Sequence, residues 1–246
     1  MTEKIVATIE ARMTSSRLPG KPLMQVLGKS MLEILVSRLQ TSPSIAEIIL
    51  ATTVNAADEP LVAEAARIGI GCYRGSEEDV MQRVIDAADS AGANIVVEIT
   101  GDCPLIDPQI VEQCIRIFRE NDAAYVGNAH VRSYPDGMDV QVFGLDTLKK
   151  SAAMTQDTLD HEHVTLHIRN NPHAFPPINI VAPPVLHWPD LGLTLDELGD
   201  FHLLEKIIEQ LYPSDPCFSC QEIIALIRRN PDWLRLNEAV IRKGYS

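Results

Sequence analysis

Short apolar runs rich in β-branched residues alternate, along the first half of the chain, with stretches whose apolar residues recur at helical spacing. Runs of the first kind predict buried strands, and stretches of the second kind predict amphipathic helices. Their alternation is typical of an α/β fold in which helices connect the strands of one sheet. The predicted strands are 5–9, 48–52 and 95–99, and the predicted helices are 30–39, 61–68, 76–88 and 110–118.

The pattern changes after about residue 124. Residues 138–143 alternate with a period of two, which predicts a strand that carries Asp139 and Gln141 on one face. We expect one domain over residues 1–246, with an inserted arm at about 129–185 and C-terminal helices at about 198–246. The other elements expected in this half are a helix at 160–171, an extended segment at 175–185, and helices at 198–212, 219–229 and 231–240.

Composition and charge narrow the classes of function. No apolar stretch reaches the roughly 18 residues that a membrane-spanning helix needs, and no secretory signal is recognisable, so a cytoplasmic protein is expected. The net charge of −13 argues against a protein that binds nucleic acid or anionic membranes through a basic surface. Five scattered cysteines do not form the pattern of a disulfide framework.

The positive charges concentrate in one loop after the first predicted strand. Residues 11–32 contain no acidic residue, although four cationic side chains fall there. Ligands of open α/β sheets bind beyond the carboxyl ends of the strands, and cations, the Ser15 and Ser16 hydroxyls and backbone N–H groups together suit a polyphosphate. The alternative is an ordinary basic turn. It stays open because the chain has neither a Walker loop nor a dinucleotide-binding GxGxxG motif here. The cations of this basic loop are Arg12, Arg17, Lys21 and Lys29.

Two carboxylates are candidates for binding Mg²⁺. Asp102 follows the strand at 95–99, opposite the basic loop, and magnesium typically takes one or two carboxylates together with phosphate oxygens. Asp107 precedes Pro108 and is assigned to capping the next helix instead. Asp196 could be a second metal carboxylate or the cap of the helix near residue 198, and its spacing leaves both open. These parts indicate attack of an acceptor hydroxyl on the α-phosphorus of a triphosphate, with pyrophosphate leaving.

At these motifs the sequence resembles a known family. The segment Ala11–Lys21 (ARMTSSRLPGK) is similar to the opening motif of the cytidylyltransferases that activate acylneuraminate and 3-deoxy-manno-octulosonate, closest to their spore-coat polysaccharide biosynthesis branch. The resemblance covers most of residues 4–210. It continues through residues 51–53, 73–80, 100–107, 134–140 and 162–165.

This resemblance implies a Rossmann-like nucleotide-diphospho-sugar transferase fold, with a mixed sheet flanked by helices. It also implies CTP as donor, Mg²⁺ as metal, an acidic sugar of the ulosonic-acid type as acceptor, and a homodimer made through the inserted arm. Carried over by motif, the catalytic residues are Arg12, Arg17, Lys21 and Asp102, and the metal carboxylates are Asp102 and Asp196. The nucleotide would contact Ala11, Arg12, Ser15, Ser16, Arg17, Lys21, Arg74, Ser76, Thr100 and Asp102. The acceptor would contact Asp136, Asp139, Gln141 and His163.

Two positions depart from the family pattern. Glu10 stands where the family commonly has Gln, which adds a carboxylate close to the basic loop. The closing motif, commonly VDTPEDL, is here LDELGDF at 195–201, which keeps Asp196 and Asp200 but lacks the Thr-Pro turn.

Two other functions stay open at this point. A glycosyltransferase on the same fold would need a DxD-type metal motif, of which residues 102–104 supply only one Asp. A catalytically idle nucleotide-binding subunit of a polysaccharide pathway would explain the altered closing motif.

Cys217 and Cys220 form a lone CxxC, which predicts two semi-buried thiols rather than a zinc site. His161 and His167 are expected at the surface.

Overall fold

The computed structural model describes residues 3–242, and a seven-stranded mixed sheet forms its centre. The strands are β1 (Ile5–Glu10), β2 (Gln25–Val26), β3 (Lys29–Ser30), β4 (Glu47–Thr53), β5 (Gly71–Gly75), β6 (Ile95–Thr100), β7 (Tyr125–Gly127), β8 (Gln141–Gly144) and β9 (Pro177–Asn179). Their order in the large sheet is β5-β4-β1-β6-β8-β7-β9, while β2 and β3 form a separate hairpin. The strands from β5 to β6 run parallel, and β8 is antiparallel to both of its neighbours.

Helices cover both faces of this sheet. They are α1 (Met31–Leu39), α2 (Glu59–Ile68), α3 (Val80–Ser90), α4 (Pro108–Glu120), α5 (Leu145–Met154), α6 (Thr158–Glu162), α7 (Leu166–Asn170), α8 (Leu198–Leu211) and α9 (Cys220–Arg229). Short 3₁₀ turns occur at Lys21–Leu23, Ala56–Asp58 and Pro231–Leu236. Within the described part of the chain, no helix has the length and apolar character needed to cross a bilayer.

The alternation of side chains along β1 explains where the site forms. Ala7 and Ile9 point into the core that contains α1 and α4, whereas Val6 points into the core that contains α3. On the α3 face the strands become polar toward their carboxyl ends, where Thr8 pairs in register with Glu98 and Glu10 with Thr100. One face of the sheet therefore changes from an apolar core to a polar site.

The predicted α/β fold is confirmed, and most predicted elements lie within a few residues of their observed positions. Ser30 caps α1 by accepting the Glu33 N–H at 2.9 Å, and Asp107 caps α4 by accepting the Gln109 N–H at 2.8 Å. In α3 the cap is Asp79, which accepts the Gln82 N–H, while Ser76 lies one turn earlier and accepts the Asp79 N–H.

Three predicted elements differ from the structure. The helix expected at 160–171 is divided into α6 and α7, because Val164 has a φ of 35° and interrupts the helical backbone. The helix expected at 231–240 is a 3₁₀ turn that ends at Leu236. The segment expected as an inserted arm contributes β8 and β9 to the main sheet. The elements that the sequence reading missed are β2, β3, β5, β7 and α5.

Candidate active site

A cavity of about 910 Å³ lies where the basic loop leaves the carboxyl end of β1, beside the end of β6. Most of the side chains predicted to contact a nucleotide line it. They are Ala11, Arg12, Ser15, Ser16, Arg17, Lys21, Thr100 and Asp102, and Asp196 and His163 also line the cavity. The geometry thus brings together residues that are up to about 185 positions apart in the chain.

Local contacts fold the basic loop back over the sheet. Gly20 has a φ of 75°, which a side chain would disfavour, and its N–H donates to the Met13 carbonyl at 2.9 Å. The Met13 N–H in turn donates to the buried carboxylate of Asp58 at 2.7 Å. Because the loop is closed in this way, Lys21 turns toward the end of β6. Asp58 is a supporting residue that sequence reasoning missed.

Four charged groups meet at the centre of the cavity. The Lys21 Nζ lies 3.1 Å from Asp102 Oδ2 and 3.2 Å from Asp196 Oδ1. Arg17 Nη2 donates to the same Asp196 oxygen at 2.7 Å. Two cations of the basic loop and two carboxylates from other segments therefore form one network, which we call the Lys21 cluster.

Electrostatic interactions keep the Lys21–Asp102 pair of this cluster charged. Burial lowers the pKa of Lys21, but the carboxylates of Asp102 and Asp196 outweigh this effect and the net pKa is raised. Burial raises the pKa of Asp102, but Lys21 and the Thr100 hydroxyl outweigh it and the net pKa is lowered. Both partners are consequently ionised at neutral pH.

Asp196 is positioned by the turn that opens α8. Glu197 is the cap residue of α8, and the Asp200 side chain reaches back to accept the N–H groups of Asp196 and Glu197 at 3.1 and 3.0 Å. The Leu195 N–H donates to the Asp102 carbonyl at 2.8 Å, which fastens the two carboxylate loops together. The cap role left open for Asp196 thus belongs to Glu197, and Asp196 faces the cavity.

The donor set of the Lys21 cluster suits magnesium shared with a nucleotide. In residues 3–242 no group of three or more His, Cys, Asp and Glu side chains is arranged to hold a metal ion. Asp102 and Asp196, however, converge on one point, which the Lys21 ammonium takes. Two carboxylates completed by phosphate oxygens are the usual environment of Mg²⁺ in nucleotide sites.

Some predicted nucleotide contacts lie elsewhere. Arg74 donates to the Thr53 carbonyl at 3.0 Å and pairs with Glu59 at 2.5 Å, outside the residues that line the cavity. Ser76 also lies outside the lining, and its carbonyl accepts from Arg83. Lys29 pairs with Glu33 at 2.5 Å, so this fourth cation of the basic loop does not reach the cavity.

Glu77 and His161 are among the lining residues that were not recognised in the sequence. Glu77 accepts from Arg12 at 3.1 Å, which supplies a counter-charge from a distant loop. His161, expected at the surface, lines the cavity and lies 2.9 Å from Asp79. The hydrogen bond to Asp79 raises the pKa of His161. The sequence signals in this segment were a helix start at 76–79 and the family resemblance over 73–80, and neither indicated these contacts.

A second, smaller cavity of about 120 Å³ shares the polar residues Glu10, Thr100, Glu162 and His163 with the first. Asp139, Gln141, Glu98 and Arg169 complete its polar lining, so three of the four predicted acceptor residues meet there. We call this cavity the side pocket. The fourth predicted acceptor residue, Asp136, does not line the side pocket and pairs with Arg132 at 3.3 Å.

The side pocket holds an unusual density of buried carboxyl groups. Both carboxyl oxygens of Glu10 are shielded from solvent, and burial together with the neighbouring Glu98 raises the pKa of Glu10 well above its usual value. Burial raises the pKa of Glu98 to about 7, against the attraction of Arg169. Burial and the nearby Asp136 raise the pKa of Asp139 to about 7.

Hydrogen bonds fix the amide of Gln141 in this pocket. Its oxygen accepts from Tyr125 at 2.8 Å and from Thr165 at 2.5 Å, and its amide nitrogen donates to Glu98.

The thiol prediction also fits the structure, because Cys220 is buried and Cys217 half-buried, both as free cysteines.

A mixed α/β sheet carries a cationic loop at its carboxyl edge, opposed by two carboxylates, and this arrangement suits a polyphosphate ligand. Residues 6–225 match the family model described as cytidylyltransferase. The chain belongs to the cytidylyltransferase family, which confirms the resemblance seen in its motifs.

Two of the similar proteins cover nearly the whole chain, and a third covers about half of it. It is 30% identical over 240 residues to the spore coat polysaccharide biosynthesis protein SpsF of Bacillus subtilis, which covers 96% of this chain and 98% of that protein. It is 33% identical over 132 residues to the 3-deoxy-manno-octulosonate cytidylyltransferase of Geobacter sulfurreducens, over 52% of this chain and 50% of that protein. The solved structure of a cytidylyltransferase from Leptospira borgpetersenii has a TM-score of 0.90 and 28% identity, over 98% and 100% of the two chains.

Proposed function

We propose that this protein transfers CMP from CTP to a hydroxyl group of an acidic sugar and releases pyrophosphate, with Mg²⁺ as cofactor. The observation that carries the proposal is the Lys21 cluster, in which Arg17, Lys21 and two carboxylates meet at the carboxyl edge of the sheet. The membership of the chain in the cytidylyltransferase family supports CTP as donor.

The cations of the basic loop bind the triphosphate in this account. Arg17 and Lys21 donate to carboxylate oxygens at 2.7–3.2 Å. Phosphate oxygens accept hydrogen bonds from the same groups at such distances, so a triphosphate would replace the carboxylates. Arg12, 45% exposed on the cavity wall, adds a third cation, and the hydroxyls of Ser15 and Ser16 line the same wall. These groups stabilise the charge that develops on the leaving pyrophosphate.

Asp102 and Asp196 would hold Mg²⁺ once the triphosphate occupies Lys21 and Arg17. Bound by these carboxylates, the metal would supply neutralisation of the triphosphate charge. The chain's own contribution is to hold the two carboxylates near each other. The Leu195 N–H donates to the Asp102 carbonyl and so joins the two loops that carry them.

The side pocket receives the acceptor. It shares His163 with the large cavity, so a sugar bound there can present a hydroxyl toward the α-phosphorus. Arg169 supplies a positive charge for a sugar acid, and carboxyl groups with a pKa of about 7 hold protons in slightly acidic solution, where they donate to sugar oxygens. The name of the 3-deoxy-manno-octulosonate enzyme, and a polysaccharide role for the B. subtilis relative, support this acceptor class. The proposal includes a homodimer, which the family resemblance implies, and a cytoplasmic location.

Identification of the product tests this proposal. The protein is incubated with Mg²⁺, each of the four nucleoside triphosphates and a panel of ulosonic acids, neutral sugars and sugar phosphates, and the products are analysed by mass spectrometry. We expect a CMP-sugar with CTP and one sugar acid. Transfer to a sugar phosphate or a neutral sugar only would overturn the acceptor class.

A further inference from the structure

The segment 237–242 lies against the loop that carries Asp196, outside the motifs that define the nucleotide site. Asn237 donates through Nδ2 to the Gly192 carbonyl at 3.1 Å and to Asp200 Oδ1 at 2.9 Å. Arg242 reaches the same carboxylate at 2.7 Å. The segment is thereby fastened to both sides of the turn at 192–200.

The carboxylate of Asp200 links this segment to the metal-side loop. Its side chain is fully buried, and it accepts four hydrogen bonds. Two come from Asn237 and Arg242 on Oδ1, and two come from the backbone of Asp196 and Glu197 on Oδ2. Arg242 neutralises a buried charge on which the backbone position of Asp196 depends.

A second route leads from Arg242 to the Asp196 side chain. Arg242 Nη1 donates to the Thr194 hydroxyl at 2.5 Å, and that hydroxyl donates to Asp196 Oδ2 at 3.3 Å. Because a hydroxyl has one proton, the guanidinium contact turns the Thr194 proton toward Asp196. The other oxygen of Asp196 is the one that contacts Arg17 and Lys21.

The space for the guanidinium is provided by a glycine. A Cβ atom added at Gly192 would lie 1.8 Å from Arg242 Nη2, so any side chain at this position would displace the guanidinium. Gly192 also pairs with Asp136, whose carboxylate lies 3.9 Å from Arg242 Nε. The loop and the arginine fit one another closely.

We propose that Arg242 is a positioning residue for the carboxylate of Asp196, and that segment 237–242 thereby completes the metal side of the active site. The proposal rests on the proposed function, because it assigns a role toward the metal·CTP complex. Arg242 acts through Thr194 and Asp200 and lines neither the large cavity nor the side pocket. Residues that hold a metal ligand in this way typically change metal affinity or activity by about 10–100-fold when mutated.

The test measures how strongly Mg²⁺ tightens CTP binding, in the absence of acceptor, by isothermal titration calorimetry. For Arg242→Ala and Gly192→Ala we expect the Mg²⁺-dependent gain in CTP affinity to fall by about 10-fold or more, with metal-free CTP affinity within about twofold of wild type. Arg235→Ala is the matched control. Arg235 lies in the preceding 3₁₀ turn, is 76% exposed, and within residues 3–242 forms an ion pair with Asp232 alone, at 3.6 Å. It should retain the full gain.

Thr194→Val provides a variant that keeps Asp200 paired, in case loss of Arg242 prevents folding. It should lose part of the Mg²⁺-dependent gain, and a wild-type gain would contradict the proposal, as would a wild-type gain in Arg242→Ala. A wild-type protein that binds no CTP would instead overturn the proposed function. CTP binding without any tightening by Mg²⁺ in the wild type would overturn the positioning role.

Discussion

The Lys21 cluster and the side pocket are both polar and buried at the same edge of the sheet, yet they manage charge differently. In the cluster, carboxylates meet Arg17 and Lys21 at hydrogen-bond distance, and although burial raises the pKa of Asp102, the attraction of Lys21 leaves it lowered. In the side pocket, Glu10 and Glu98 lie side by side, and their pKa values rise instead. The ion pairs can be exchanged for a triphosphate and its metal, whereas the carboxyl pair can be stabilised by a proton.

The first prediction removes a charge from the cluster. Arg17→Ala and Asp102→Asn should each lower kcat by roughly 10²–10³-fold, because a preorganised group that stabilises transition-state charge is lost. Pyrophosphate release measures kcat, and circular dichroism checks the fold. Lys29→Ala is the matched control, since Lys29 belongs to the same basic loop but pairs with Glu33 away from the cavity. Near-normal turnover in Arg17→Ala, or a comparable loss in Lys29→Ala, would contradict the site.

The second prediction concerns the pH dependence of stability in the side pocket. The pKa of Glu98 is raised to about 7 from an ordinary 4.5, so between these pH values the native state holds a proton that the unfolded chain has released. The contribution of Glu98 to the free energy of unfolding should therefore fall as pH rises through this window, by on the order of 3 kcal/mol. Glu98→Gln should remove that part of the slope.

Urea unfolding at several pH values from 4.5 to 8 measures this effect for both proteins. Asp139 contributes in the same direction, because its pKa is also raised to about 7, and the wild-type slope is the sum of such groups. Stability curves for wild type and Glu98→Gln that stay parallel across the window would show that Glu98 titrates normally.

The third and smallest effect is expected at Glu10, where this chain departs from the family's glutamine. Glu10→Gln should stabilise the protein at pH 8 by about 1 kcal/mol, because an amide can donate to Glu98 without carrying a charge. The gain should shrink at pH 5, where the native wild type holds its protons. Unfolding by urea at the two pH values measures it, and destabilisation at pH 8 would mean that the Glu10 carboxylate is needed in the fold.

The sequence was sufficient to predict the components that local motifs encode. The strand before the basic loop, Asp102 at the end of β6 and the Asp107 cap all follow from short patterns. The pairing of Arg12 with Glu77, and of Arg17 with Asp196, depends on long-range topology that no local pattern contains. For the same reason the basic loop looked uncompensated in sequence, although its cations meet carboxylates in the structure.

The altered closing motif shows the same limit. Loss of the Thr-Pro turn left the role of Asp196 open, because an aspartate before a helix is also a good cap. In the structure Glu197 and Asp200 form the capping box, and Asp196 is left to face Lys21. The chain without the Thr-Pro turn therefore still presents Asp196 to the cavity, because Glu197 and Asp200 form the cap of α8. The sequence pattern could not assign these roles.

The central claim is that the Lys21 cluster directs attack at the α-phosphorus of CTP. ³¹P NMR of the complete reaction, with CTP, Mg²⁺ and a sugar acid, follows each phosphorus atom directly. We predict equal amounts of pyrophosphate and a CMP-sugar phosphodiester, and neither product when EDTA removes the metal. Release of inorganic phosphate with CDP, or unchanged CTP in a sample that binds CTP and every acceptor tested, would contradict this account.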